Sequence, residues 1–183
     1  MASINATTSS GIVATADNTG QLQLQSAGTT VATINSTGVN AGIQMAANTA
    51  PTFSAYQSSS QTGIVNGVFT KILFQTEEWD TNNNFASSTF TPTVAGYYQV
   101  NAGVAWSAGY STAILSIYKN GSAYKDGTSL PTATFRSTVN AIVYCNGSTD
   151  YVEIYGQQTS GGSGSLAAAI NYTYFQAAMI RSA

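Results

Sequence analysis

Charge is scarce in this sequence: five Lys or Arg and seven Asp or Glu in 183 residues, 7% of the chain against roughly 25% in an ordinary soluble domain. Five scattered cations and a formal charge of −2 leave no basic face, which excludes a nucleic-acid binder held by phosphate contacts. Histidine is absent altogether, removing the commonest general base together with the commonest metal ligand. The single cysteine, Cys145, can form neither an internal disulfide nor a thiolate zinc site. No apolar run approaches the ~18 residues of a membrane-crossing helix, so no membrane insertion is expected. The opening MASINATTSSGIVATADN lacks a basic stretch followed by an apolar one, so no signal peptide is expected either.

Uncharged polar residues fill the gap. Ser, Thr, Asn and Gln make up 72 of the 183 residues. Disordered chains are charge-rich and poor in aromatics; this one is 43% hydrophobic and 11% aromatic, with eleven tyrosines. Abundant Thr, Tyr, Val and Ile favour strands, and the expected fold class is all-β. So weakly charged a surface is prone to associate, a hazard that a protein living inside an assembly escapes.

The chain divides near residue 50, giving an expected arm over 1–50 and a second domain over 51–183. Asp17 is the one charged residue among the first 70, and the first fifty contain no aromatic. Without large side chains the arm has little from which to build a core. It is nonetheless patterned. Leu22 and Leu24 alternate with Gln21, Gln23 and Gln25, and Val31, Ile34 and Val39 follow between glycines at 20, 28, 38 and 42. This reads as short alternating strands cut by turns. One copy buries too little apolar surface to stand alone, whereas three copies packed about an axis would bury Leu22, Leu24, Val31, Ile34 and Val39 from each chain.

From Pro51 onward, strand-like runs recur every 10–15 residues or so between turn signals, the pattern of a sandwich. Strands are expected at 68–74, 97–106, 113–118, 138–145, 151–155 and 170–180, with a loop over 76–84 and a flexible connector at 160–165. Tyr98, Val100, Ala102, Val104 and Trp106 share one face, Gln99 and Asn101 the other. Asn120-Gly121 and Asn146-Gly147 carry the strongest short hairpin signal.

The stretch from Phe74 to Ala102 resembles the C1q/tumour-necrosis-factor-like domain. Phe74 lies six residues before Asp80, Asp80 five before Phe85, and Phe90 six before Gly96, which opens Gly96-Tyr97-Tyr98-Gln99-Val100. Further along, Ile117-Tyr118-Lys119-Asn120-Gly121, Asp150-Tyr151-Val152-Glu153-Ile154 and Phe175-Gln176-Ala177-Ala178-Met179-Ile180 look like the family's later strands. Phe85 and Phe90 stand two residues closer than the pattern, and Val100 and Ala102 replace usual aromatics, pointing to smaller core side chains. The resemblance covers roughly 51–183 and implies a jelly-roll sandwich assembling as a tight homotrimer. Residues 11–40 resemble the Gly/Thr/Asn-rich β segments of tailed-phage fibre and virion proteins.

Few residues carry chemistry. Glu77, Glu78 and Asp80 are the one concentration of carboxylates, a candidate calcium site because hard oxygen ligands suit that ion; the alternative is an exposed acidic loop. Trp79 and Tyr110 fall in expected loops and are candidate receptor contacts. Trp106 and Cys145 are in phase with core positions. Asp80 with Asp126 or Glu153 would be the pair for a glycosidase, and Lys71 or Lys125 would have to replace histidine in activating a nucleophile; nothing in the pattern favours either. The sequence therefore reads as a non-enzymatic homotrimer on a phage virion surface, its arm held by other virion proteins. It is expected to be a capsid decoration or head-fibre protein, or alternatively a short tail-fibre tip that recognises a host-surface glycan or outer-membrane protein.

Overall fold

The computed structural model describes the backbone of 22–26, 29–35 and 38–41, and residues 50–168 and 170–183, with the side chains of 130–135 outside the description. The chain forms two compact units, Met1–Ala47 and Asn48–Ala183. In the first, β1 (Leu22–Ser26), β2 (Thr29–Asn35) and β3 (Gly38–Ala41) make an antiparallel sheet in chain order. Its register sets Leu22, Ile34 and Val39 in one row, Gln23, Thr33 and Asn40 in the next, and Leu24, Ala32 and Ala41 in the one after. Val31 falls at a register shift, between Thr30, which pairs with Gln25, and Ala32, which pairs with Leu24. It therefore joins neither row. What the side chains of Leu22, Leu24, Val31, Ile34 and Val39 pack against lies outside the described residues.

Among the described residues the second unit contains twelve strands: β4 (Thr52–Tyr56), β5 (Gln61–Ile64), β6 (Thr70–Lys71), β7 (Thr76–Asp80), β8 (Phe85–Ala86), β9 (Thr89–Phe90), β10 (Gly96–Lys119), β11 (Ser122–Asp126), β12 (Leu130–Cys145), β13 (Val152–Thr159), β14 (Gly164–Leu166) and β15 (Tyr174–Ser182). Two layers share β10. Its first half pairs with β12 on one side and β15 on the other, and β15 continues to β4 and β7. Its second half pairs with β11 and β13, and β13 continues to β9, β8 and β6. Alternation then dictates the core. Tyr98, Val100, Ala102, Val104 and Trp106 point inward from the first layer and meet Leu115, Ile117, Val152 and Ile154 from the second, all at most 2% exposed.

An aromatic cluster closes the sandwich. Phe53 stacks on Phe85 and Phe90 at 4.6 Å between centroids and meets Phe175 edge-on at 4.8 Å. Phe90 in turn meets Tyr98 across the layers at 5.4 Å. The expected Phe74, Phe85, Phe90 and Tyr98 are all in this core. Gly96 has a steric reason: a Cβ there would lie 2.5 Å from the Arg181 carbonyl oxygen, so a side chain would push β15 off β10.

Several sequence expectations are corrected. The expected loop over 76–84 holds β7, because hydrogen bonding to β4 extends the sheet despite the segment's polar composition. The strands expected at 97–106 and 113–118 are one continuous strand. The expected strand at 68–74 shortens to two residues, and the connector at 160–165 ends in β14. Asn120-Gly121 does close a two-residue hairpin, with both residues at positive φ (52° and 76°). Asn146-Gly147 does not: the turn runs from β12 to β13, and the Asn146 side-chain oxygen accepts from the backbone N–H groups of Ser148, Thr149 and Asp150.

Phe53 touches three other rings, so truncating it leaves a void that β-sheet backbone cannot collapse into. Phe53→Ala is expected to cost about 3–5 kcal/mol, read as a fall in the denaturation midpoint with the slope unchanged.

Candidate functional site

The residues singled out for chemistry are dispersed by the strands that carry them. The Asp80 carboxylate accepts the backbone N–H groups of Asn82 (3.2 Å) and Phe85 (2.7 Å), so it fixes the turn that delivers Phe85 to the core. The Glu78 carboxylate accepts the hydroxyl of the buried Ser54 at 2.6 Å, and Glu77 is exposed. Glu77, Glu78 and Asp80 are therefore not assembled into one donor set, and among the described residues no group of three acidic or thiol side chains is placed to hold a metal ion.

Glu153 and Lys71 form an ion pair at 2.6 Å, and Thr89 donates to the same carboxylate oxygen at 3.0 Å; pairing is what lets Glu153 be buried on its strand. Asp126 sits on the exposed β11, far in the sheet order from β7.

Of the two expected receptor contacts, one is corrected. Tyr110 is buried, because β10 continues through the expected loop; it meets the Trp106 ring edge-on at 5.4 Å, and its hydroxyl accepts the Ser165 N–H at 2.9 Å. Trp79 is 48% exposed on the edge strand β7, its indole N–H reaching the Thr52 hydroxyl at 3.5 Å. Trp106 and Cys145 are core residues as expected.

What the structure brings together instead is an apolar face. On the outer side of the first layer, Tyr97, Ile142, Tyr144 and Ile180 are 41–52% exposed. They line, with Arg181, a shallow pocket of about 540 Å³. Tyr97 and Tyr144 are register partners with ring centroids 5.4 Å apart, and the Lys119 ammonium lies 5.6 Å from the Tyr144 ring. Sequence reading missed this face. Its signal was present: in 138–145 the in-phase positions Val139, Val143 and Cys145 are core, yet the out-of-phase positions 142 and 144 carry Ile and Tyr where water-facing residues belong. Contiguous exposed apolar surface of this kind marks interaction sites.

Beside the pocket, Asp150 ties the two turns together. Its carboxylate accepts the Asn120 side-chain amide at 2.7 Å and the Asn146 N–H at 3.0 Å, and pairs with Lys119 at 2.9 Å. The Asn120 hydrogen bond first, then Lys119, holds its carboxyl below the usual carboxylate range. Burial pushes the Cys145 thiol up to about 11, with Lys119 pulling the other way.

No protein-family model and no curated protein matches the sequence. Solved structures do match in fold. Murine APRIL superposes with a TM-score of 0.58 at 7% identity, over 72% of this chain and 99% of that one. Eiger TNF from S. frugiperda gives 0.56 at 8% identity, over 73% and 93%. The globular domain of zebrafish complement 1qA gives 0.52 at 14% identity, over 73% and 99%. The fold is thus the all-β jelly-roll sandwich of the tumour-necrosis-factor/C1q type.

Two measurements check this geometry. Because the folded Asp150 carboxyl titrates below its unfolded value (~3.9), its stabilisation is complete above that value and is lost as pH falls through the lower, folded one. Asp150→Asn is therefore expected to lower stability near neutral pH and to flatten the acid limb; an acid limb unchanged by the substitution would contradict it. The Cys145 thiol is expected to resist a disulfide reagent at pH 8 in the native protein and to titrate fully in denaturant.

Proposed function

We propose that this chain is a non-enzymatic homotrimeric surface protein of a tailed-phage virion, a capsid decoration or head-fibre protein with its C-terminal domain outward. The observation that carries the trimer is the exposed face of Tyr97, Ile142, Tyr144 and Ile180. Tyrosine is a residue type that fills interface centres, and the two isoleucines extend the apolar area beside the tyrosine pair. The jelly-roll fold supports the same reading through the homotrimer that the sequence resemblance implies. In such an assembly, three arms wind about the common axis and attach to other virion proteins; the register row of Leu22, Ile34 and Val39 gives each arm an apolar line to contribute. The virion setting rests on the likeness of residues 11–40 to phage fibre segments.

The second reading, a short tail-fibre tip recognising a host glycan or outer-membrane protein, retains Trp79 as its exposed aromatic but loses the buried Tyr110.

Light scattering on the purified chain is expected to give about three times 18.9 kDa; a monomer at micromolar concentration overturns the trimer. A virion reconstruction then separates the two readings. Many copies distributed over the shell support decoration, and a handful at the tail support the fibre tip.

A further inference from the structure

A ring of identical subunits closes through two different patches, one on each side of the subunit. The first layer has two such sides. Its strand order β7-β4-β15-β10-β12 ends in β7, paired among the described residues only to β4, and in β12, paired only to β10. Each end carries one exposed apolar feature. On β7 it is Trp79; beside β12 it is the pocket of Tyr97, Ile142, Tyr144, Ile180 and Arg181.

Register pairs Trp79 with Ser54, whose row runs through Gln176 and Asn101 to Asn140, and the neighbouring row on the same side of the sheet is the one that reaches Ile142. Thr52 pairs with Ala178, Ala178 with Gln99, and Gln99 with Ile142, so one row of the sheet runs from Thr52 to Ile142. The Trp79 indole reaches toward Thr52, 3.5 Å from its hydroxyl. Rotation about an axis running along the strands preserves height. It therefore carries the indole of one subunit to the level of Ile142 in the next.

Size and charge agree. A pocket of about 540 Å³ is within the range that encloses a small-molecule ligand (~300–1,000 Å³) and has room for one indole. β7 bears Glu77, Glu78 and Asp80 and no cation, whereas the pocket bears Arg181 and no acidic side chain. Arg181 belongs to neither ion pair found among the described residues. Four of the other exposed apolar residues fit less well. Val65, Val68 and Leu73 flank β6, which belongs to the second layer, and the ring of Tyr172 is already covered by Arg136 at 3.5 Å.

Building on the trimer reading above, we propose that Trp79 of each subunit inserts into the Tyr97–Ile142–Tyr144–Ile180 pocket of its neighbour, with the acidic strand β7 facing Arg181. Trp79 is then an anchor of the assembly rather than a receptor contact. Complementary charge at the rim fixes which sides meet.

The test is a cysteine pair. Trp79→Cys with Ile142→Cys, mildly oxidised, is expected to give disulfide-linked dimers and closed trimers on a non-reducing gel. Each single variant stays uncrosslinked, since the natural Cys145 is fully buried. In the unmodified protein Trp106 is 2% exposed, so iodide quenches essentially Trp79 alone, and that quenching is expected to vanish in the trimer. A trimer by light scattering whose Trp79 remains quenchable, or a trimer whose cysteine pair links no better than the singles, overturns this pairing and leaves the trimer standing. A monomeric unmodified chain overturns both.

Discussion

A single 24-residue strand, Gly96–Lys119, hydrogen-bonds to β11, β12, β13, β14 and β15, and both layers of the sandwich hang from it. Two sheets that pack face to face ordinarily need their relative position fixed by side chains alone; here a covalent backbone passes from one into the other. The crossing point is where that constraint is enforced. Trp106 and Tyr110 are packed edge to face, and the Trp106 indole N–H donates to the Ser137 hydroxyl at 2.9 Å. Between them the exposed Ser107, Ala108 and Gly109 let the strand bend without a bulky side chain in the way. With the strand fixed, alternation alone sends Tyr98 through Val104 inward from one layer, and Leu115 and Ile117 inward from the other.

The same alternation puts Tyr97, Ile142 and Tyr144 outward, and the charge distribution gives that fact its meaning. Burying an unpaired charge is expensive, so a surface destined for contact with copies of itself is best built from residues that carry none. Two of the charged groups near this face are partnered within the subunit, and Arg181, which is in neither ion pair found among the described residues, is the one that meets β7 of the neighbour in the proposed contact. Lys119 is neutralised by Asp150 while its ammonium approaches Tyr144, and Glu78 is held by Ser54. Ser54, though on the outer side of its strand, is fully buried, bonded by Glu78 and by the Gln176 side chain. In the proposed trimer, scarcity of charge follows from what the outer side of the first layer has to do, and it costs the core nothing.

Much of this was legible in the sequence, for reasons that can be named. The run from Tyr98 to Trp106 alternates cleanly because one side is core; Phe74, Phe85 and Phe90 stand out as large apolar residues in a polar stretch because they meet in one core cluster; and Asn120-Gly121 closes a hairpin because both positions need positive φ. What was illegible depended on partners distant in sequence. The segment 76–80 is polar and becomes a strand only because β4 offers it an edge. Tyr110 looked like a loop residue because Ser107, Ala108 and Gly109 precede it; its burial comes from Trp106 and Ser165. The carboxylates looked like a cluster because they are neighbours in sequence, whereas the structure gives Asp80 a turn to hold and Glu78 a serine to bond. The interaction face escaped notice because a period-two pattern shows which residues share a side and is silent on what covers each side.

The proposed trimer requires the outer side of the first layer to be covered in the working protein. Hydroxyl-radical footprinting of the assembled chain tests it directly, because all four marker residues react readily when exposed. The account predicts that Tyr97, Ile142, Tyr144 and Ile180 are protected while the comparably exposed Val65, Val68 and Leu73 are labelled. Equal labelling of both sets would contradict it.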